Sequence, residues 1–490
     1  AIAASLIGIV AGDLLLYGIG FIGGRAAVNF PFLKKRLSAE KLKRAEDWFA
    51  ACGSRIIIAS RFVPGTRLPT YLAAGVLRVP VLQFTLLLIV AAALWTPILV
   101  GFSYASGSLL KSDSPMSPSQ TILVVSTALI IAFLAVRLVA NLMTAHKRML
   151  LYSRWLRAWR WEFWPMLCLY IPVGFYILYL GLKSRRLLAF TACNPGIPAS
   201  DIKGESKSAI LEALRGGSRN FGNAAPFKLV RANQDSQLRV GEVEKAIKSF
   251  QSDFPVVLKP DVGERGDGVM IAKCREDIQK FVAGNPVDFI VQKFVPGREF
   301  GVFYYRYPHE TTGHIFAITD KRMITLQGDG QRTLEKLIFS DRRARLMAAF
   351  HLKRHEARLE DVIPQGQIFP LVELGTHCKG AMFLDGSHLI TDALTREIDR
   401  ISKRFAGFYF GRYDIRVPDE NHLARGKKIQ IIELNGVTSE ATNIYDPKHT
   451  ICHAYRVLFR QWRIAHEIGI ENIARGVSPI ALRQLIRYAA

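Results

Sequence analysis

The sequence predicts a multidomain protein: an N-terminal α-helical membrane domain that includes a re-entrant hairpin, followed by a C-terminal α+β domain. Three observations predict it. At 490 residues the chain exceeds what one hydrophobic core serves. Half of the residues are hydrophobic and the mean hydropathy is +0.15, with the apolar residues crowded into roughly the first 190 positions. Beyond them, short strands with two-residue alternation and glycine-rich loops replace the apolar runs.

The formal net charge is +24 and the isoelectric point about 9.9. Nucleic acid and anionic lipid headgroups both suit such a charge. No RNA- or DNA-binding motif occurs, and the basic residues cluster beside apolar spans. Membrane lipids are therefore the expected partner, and nucleic acid is not. The six cysteines (Cys52, Cys168, Cys193, Cys274, Cys378 and Cys452) lie far apart, with neither zinc-site nor disulfide-framework spacing. The sequence opens at Ala1 inside an apolar run with no basic stretch before it. This favours a truncated or processed chain over a signal peptide.

Residues 1–24 are apolar and glycine-rich, interrupted by Asp13. Residues 30–47 turn basic and helical, with Lys34, Lys35, Arg36, Lys41, Lys43 and Arg44. Residues 53–77 are apolar but broken by Arg61, Pro64, Arg67 and Pro69. Residues 80–105 and 121–142 are each long enough to cross a hydrocarbon core of about 30 Å at about 1.5 Å per residue. Lys147, Arg148, Arg154, Arg157 and Arg160 follow the second span. The positive-inside rule then places 106–120 outside and the basic segments in the cytosol. Residues 53–77 must enter and leave on the cytosolic side as a re-entrant hairpin. The expected location is the inner membrane, multi-pass, with the α+β domain cytosolic.

Residues 163–182 are apolar enough to span, but Lys183, Arg185 and Arg186 follow directly, and spanning would carry the rest of the chain outside. Pro165, Pro172 and Gly174 weaken a straight span, and Trp155, Trp159, Trp161 and Trp164 form an interfacial belt. The expectation is a segment lying in or dipping into the cytosolic leaflet. The domain division is 1–142 (membrane domain), 143–190 (basic, Trp-rich linker) and 191–490 (α+β domain).

Asp13, Arg61 and Arg67 are costly in a membrane, which marks them as candidate functional residues of the membrane domain; mutual pairing or snorkelling is the plain alternative. Gly12-Asp13, Tyr17, Gly20 and Gly24, followed by Arg61-Phe62-Val63-Pro64-Gly65-Thr66-Arg67, resemble the DedA (SNARE-associated, VTT) membrane family over about residues 1–142. The resemblance implies re-entrant hairpins and movement of lipid carriers or other lipids.

In the α+β domain, residues 254–259 read as a buried strand ending in Lys259. The loop 260–268 follows with Gly263, Gly266 and Gly268, and 269–271 returns as a strand. Glycines let backbone N–H groups approach phosphate; an ordinary hairpin is the alternative. Residues 289–295 form another strand, with Glu299 a few residues on. The alternation of Arg412-Tyr413-Asp414-Ile415-Arg416 puts Arg412, Asp414 and Arg416 on one face, and that of 429–435 puts Glu433 and Asn435 on another. Two such strands side by side offer Asp414, Glu433 and Asn435 as hard oxygen ligands for Mg²⁺. Arg412 and Arg416 have no evident protein anion, which a phosphoryl group would supply; a cross-strand salt-bridge cluster is the alternative.

Together these three sites resemble the ATP-grasp fold over about residues 205–470. The resemblance implies ATP and Mg²⁺ as cofactors. It implies Lys259 and the loop with Glu264, Gly266, Gly268 and Val269 at the phosphates. Gln292, Lys293 and Val295 would lie at the adenine, Glu299 at the ribose, and Asp414, Glu433 and Asn435 at the metal. Residues 328–338 further resemble peptide-bond-forming members such as cyanophycin and glutathione synthetases, where Lys321 and Arg322 would lie near the phosphates. Arg412 matches the arginine that stabilises the acyl-phosphate transition state in the D-alanine–D-alanine ligase group. The function expected is a membrane-bound carboxylate–amine or carboxylate–thiol ligase acting on a lipid-associated substrate. The alternatives are a lipid transporter with a regulatory ATP-binding domain and an ATP-grasp kinase. His351 and His355 sit i,i+4 on a basic helix that reads as a solvated face, a metal pair being the alternative, and His377-Cys378-Lys379-Gly380 reads as a structural or substrate-side loop, a catalytic cysteine site being the alternative.

Overall fold

The computed structural model describes residues 2–24, 45–47, 49, 53–61, 66–92, 145–202, 206–216, 222–232, 235–263, 266–372 and 380–489. The segment 121–142, the loop 106–120, residues 93–105 of the expected span 80–105, most of 30–47, and Glu264, His377, Cys378 and Lys379 lie outside them. The chain divides into two compact units, Ala1–Trp155 and Leu156–Ala490.

The first unit contains α1 (Ile2–Gly23), α2 (Ile56–Ala59), α3 (Arg67–Val76) and α4 (Val81–Ala92). The expected hairpin segment thus holds two short helices, with residues 62–65 between them outside the described set. Its core gathers Tyr17, Ile57, Tyr71, Leu72, Phe84 and Leu88. α1 crosses α3 at two glycines. A Cβ on Gly20 would lie 2.2 Å from the Leu72 carbonyl oxygen, and one on Gly75 the same distance from that of Tyr17. Only the absence of side chains lets the two backbones approach so closely. α5 (Ala145–Ala158) carries the basic run that follows.

The second unit, which starts at Leu156 near the end of α5, contains α6 (Met166–Ser184), which continues through Pro172. This proline therefore does not interrupt the apolar segment as its sequence suggests. Among the described residues, α6 is the one helix long and apolar enough to cross a membrane. α7 (Lys207–Arg215) is capped by Ser206, whose hydroxyl accepts from the Ala209 N–H.

An antiparallel four-stranded sheet follows, ordered β1-β4-β2-β3, from β1 (Phe227–Val230), β2 (Val256–Pro260), β3 (Met270–Ala272) and β4 (Phe289–Lys293). It packs α8 (Ser236–Ser249) and α9 (Arg275–Gly284) through Val243, Ile247, Ile278 and Phe281. A second antiparallel sheet, ordered β11-β10-β5-β6-β9, comprises β5 (Arg298–Tyr305), β6 (His314–Arg322), β9 (Met382–Asp385), β10 (Phe410–Val417) and β11 (Gln430–Asn435). Between β6 and β9 the chain makes the ribbon β7 (Thr325–Gln327) and β8 (Ile368–Pro370), with α10 (Leu334–Ser340) and α11 (Ala348–Arg354) in the connection.

α12 (Asp392–Ser402) covers one face of the five-stranded sheet, burying Leu394, Ile398 and Ile401. α14 (Ile451–Ala474), preceded by the short α13 (Glu420–Ala424), packs Leu458, Trp462, Ala465 and Ile468 with α6 residues Leu169 and Val173 into a further core. α15 (Leu482–Ala489) ends the described chain.

His351 on α11 is buried at 0% exposure and sits against Gly380. The solvated basic face expected here is wrong at this residue: Lys353 and Arg354 are exposed, but His351 points inward.

Candidate active site

The antiparallel register of β10 and β11 sets Asp414 opposite Glu433 and Arg412 opposite Asn435, so these four side chains share one face of the sheet. β5 pairs with the other edge of β10, with Arg416 opposite Glu299, and β6 sets Lys321 opposite Glu299. Three non-local pairings thus converge on one patch.

A chain of ion pairs runs across it. Arg412 Nε lies 3.0 Å from Asp414 Oδ1, and Lys321 Nζ lies 3.0 Å from the same oxygen. Lys321 Nζ is also 3.0 Å from Glu299 Oε1, and Arg416 Nη2 is 3.1 Å from Glu299 Oε2. Arg416 also donates to the Val295 carbonyl at 2.9 Å, and Arg412 to the Glu440 carbonyl at 2.9 Å. Both arginines therefore meet protein carboxylates, which corrects the expectation that they have no protein anion and agrees with the salt-bridge alternative. Asp414 is buried, which alone would raise its pKa, but Arg412 and Lys321 outweigh that and hold it below the usual carboxylate range. For Lys321 burial favours the neutral form, and Asp414 and Glu299 reverse this and raise its pKa.

Lys259, at the end of β2, is buried and donates to the Ile432 carbonyl at 2.8 Å. Burial lowers its pKa, and Glu433 opposes the shift. Gln292 Nε2 reaches the same carbonyl at 3.4 Å. Four cations (Lys259, Lys321, Arg412, Arg416) thus stand among four carboxylates (Glu299, Asp414, Glu433, Glu440). Lys293 turns away and donates to the Phe250 carbonyl at 3.2 Å. Arg322 pairs with Asp320 at 2.8 Å. Gly266 and Gly268 have φ of +70° and +65°, and Val269 follows them into β3. A Cβ on Gly268 would lie 2.8 Å from Pro260 Cγ, so this turn requires glycine.

A cavity of about 700 Å³ opens between the two sheets, lined in part by Ile271, Phe294, Glu299, Lys321, Arg322, Met323 and Arg416. It joins apolar walls to one end of the ion-pair chain. Phe294, with the Arg416 guanidinium 5.2 Å from its ring centroid, was not among the residues expected at the site, although it lies two residues beyond Gln292 and just past the end of β4. Alternation along the strand could have pointed to it.

The donor set suits Mg²⁺. Two carboxylates facing each other across a ladder repel unless a cation lies between them. Among the described residues the Glu433 carboxylate makes no hydrogen bond or ion pair, and the buried Asn435 Nδ2 has no partner. No group of three His, Cys, Asp or Glu side chains among the described residues has metal-holding geometry. Two carboxylates and an amide match an ion that takes further ligands from phosphate and water.

In the first unit, Asp13 is fully buried. Its Oδ2 lies 2.8 Å from Arg61 Nη1, and its Oδ1 accepts from Arg67 Nε at 2.7 Å. The three charges anticipated from sequence form one ion triad.

The family model of the VTT domain matches residues 1–105. These residues are a VTT domain. Over 95 residues the chain is 33% identical to an uncharacterized membrane protein of Haemophilus influenzae, covering 19% of this chain and 45% of that one. Over 113 residues it is 31% identical to undecaprenyl phosphate transporter A of Bacillus subtilis, covering 22% of this chain and 54% of that one. The chain spans about half the length of these curated relatives. It is also similar to two solved structures. One is a bifunctional glutathione synthetase from Pasteurella multocida, at TM-score 0.30 and 16% identity, covering 55% of this chain and 38% of that one. The other is a D-alanine–D-alanine ligase from Bacillus anthracis, at TM-score 0.31 and 13% identity, covering 59% and 70%.

Within the VTT domain, the Asp13 triad and the Gly20–Gly75 crossing both tie α1 to the segment 61–76. Asp13 and Arg61 are buried by this arrangement, while Arg67 remains exposed.

Proposed function

We propose that this chain is a membrane-bound ATP-grasp ligase that activates a carboxylate as an acyl-phosphate and joins it to an amine or thiol, releasing ADP and phosphate. The single observation that carries this is the Arg412–Asp414–Lys321–Glu299–Arg416 chain at the edge of the inter-sheet cavity, with Glu433 and Lys259 beside it.

In this reading the apolar lining at Ile271, Phe294 and Met323 holds the adenine. Glu299 holds the ribose, and Arg416, which already bridges Phe294 and Glu299, orients both. Lys259 and Lys321 are the point charges for the phosphates, since both are buried and fixed by short contacts. The Gly266–Val269 turn supplies backbone N–H groups to the same phosphates. Arg412, held by Asp414 and the Glu440 carbonyl, lies at the far end of the chain and meets the carboxylate as charge develops on the transferring phosphoryl group. Asp414, Glu433 and the Asn435 amide oxygen would hold Mg²⁺, which when bound supplies Lewis-acid neutralisation of phosphate charge.

Hydroxylamine tests this directly. The full chain in native-lipid nanodiscs, given Mg-ATP, hydroxylamine and a membrane extract, should form a hydroxamate with one ADP and one phosphate per product. A stable phosphorylated product without hydroxamate would identify a kinase instead.

The Asp13 triad and the likeness of the VTT domain to a protein named as an undecaprenyl phosphate transporter support a second reading, in which residues 1–142 move lipid and the ATP-binding region regulates them. Lipid movement in reconstituted liposomes that survives Lys259→Ala would favour it.

A further inference from the structure

α6 is apolar around its whole circumference, which requires an apolar partner on every side. One side has it within the unit: Leu169, Val173 and Gly181 are buried, and Tyr176 stacks on Phe459 of α14 at 4.5 Å. The other side has none among the described residues. Leu167, Ile171, Phe175, Leu178 and Leu182 recur at helical spacing and remain exposed, at 78%, 52%, 70%, 48% and 62%. A continuous apolar stripe on this scale is not left to water in a soluble unit.

Charge at both ends identifies what covers the stripe. Arg157 and Arg160 precede α6, and Lys183, Arg185 and Arg186 follow it. The single acid in 157–186 is Glu162, buried against Arg343. Trp159 and Trp164 are exposed beside it, at 74% and 42%. Apolar stripe, flanking cations and interfacial tryptophans together match the surface of an anionic phospholipid leaflet.

α6 cannot cross that leaflet as it stands. It is packed along α14, from Tyr176 at Phe459 to Ser184, whose hydroxyl lies 2.8 Å from His466 Nε2. α14 carries Arg456, Arg460, Arg463, Glu467 and Glu471, which would have to enter the hydrocarbon with it.

The buried side of α6 reaches the active site. Tyr170 Oη donates to Glu440 Oε1 at 2.7 Å, and the carbonyl of Glu440 accepts from Arg412. Trp161 stacks on Tyr445 at 5.8 Å and donates through Nε1 to the His449 carbonyl at 3.3 Å. Residues 161–170 therefore cradle the segment that follows β11, at the end of the ion-pair chain away from the cavity.

We propose that α6 lies in the plane of the leaflet surface and that the second substrate is a lipid-borne headgroup that reaches Arg412 from this side, past Tyr170 and Glu440. The first part stands on geometry alone. The second rests on the ligase reading above.

Two measurements on the full chain in vesicles of phosphatidylcholine and phosphatidylglycerol test this. In a variant with its native cysteines replaced, an environment-sensitive fluorophore is placed in turn at Leu167→Cys, Phe175→Cys and Leu182→Cys, and quenched by lipids brominated at shallow or deep chain positions. An in-plane helix gives equal, shallow quenching at all three. These positions span about 22 Å along a helix, so a crossing helix would quench deepest at 175 and overturn the proposal, as would no quenching at all.

In the second measurement the vesicles carry a lipid with a carboxylate and a photoreactive diazirine in its headgroup, and ATP turnover is followed in parallel. Crosslinks within 161–170 or 436–449, reduced at least fivefold by Tyr170→Ala, are the expected result. Turnover without these crosslinks would refute the lipid-side route and leave the ligase reading intact. Crosslinks without turnover would leave the route standing and refute the ligase.

Discussion

Asp414 and Glu433 are direct cross-strand partners on β10 and β11, yet among the described residues only Asp414 is in ion-pair contact with protein cations, Arg412 and Lys321. This asymmetry separates their roles. Asp414→Ala leaves Arg412 without its ion-pair partner and Lys321 with Glu299 alone, and should destabilise the second unit by about 3–5 kcal/mol. Glu433→Gln removes a like-charge pair but also the attraction of Glu433 for Lys259, so the ligand-free fold should change by less than about 1 kcal/mol. Thermal melts measure both, and equal destabilisation by the two variants would contradict the account.

Mg-ATP should raise the melting temperature of the second unit by binding the folded state alone. At one hundred times Kd the gain is about 2.7 kcal/mol. EDTA should abolish most of it, and Glu433→Gln should remove the magnesium-dependent part. Calorimetry with ATP, with and without Mg²⁺, reads this out.

His351 makes the stability of this region pH-dependent. Burial, with His355 and Arg354 adding to it, holds its imidazole at about 4, whereas an unfolded histidine titrates near 6.5. The unfolded state therefore binds more protons between these values, and stability falls as pH falls through that window. Above about pH 6.5 this group contributes no slope. The full loss is on the order of 3 kcal/mol. His351→Leu should flatten the profile between pH 4 and 6.5, as measured by denaturant midpoints.

Gly75→Val should break the α1–α3 crossing, because its Cβ would lie 2.2 Å from the Tyr17 carbonyl oxygen. The expected cost is about 3 kcal/mol or more, seen as protease sensitivity of the VTT domain in membranes. Gly18, whose Cβ would meet nothing within 4 Å, provides the control, and Gly18→Val should be tolerated.

Period-two alternation made the shared faces of Asp414, Glu433 and Asn435 legible, because strand side chains alternate whatever the sheet around them. What alternation does not carry is which strands are neighbours. Glu299 meets Arg416 through the pairing of β5 with β10, and Lys321 through β6, so both arginines looked unpartnered when read locally. His351 was misplaced for a similar reason: its charged neighbours in sequence describe the opposite face of α11. Pro172 was read as a weakness in an apolar segment, but tertiary packing on α14 carries the helix past it. The Tyr170–Glu440 contact joins residues 270 positions apart and has no local signature.

The most direct test of the central claim is phosphorus NMR of Mg-ATP turnover by the full chain in native-lipid nanodiscs supplied with an amino-acid mixture. The account predicts ADP and inorganic phosphate, with the rate lowered at least a hundredfold in Glu433→Gln and in Lys259→Ala. AMP and pyrophosphate as products, or full turnover in both variants, would contradict it.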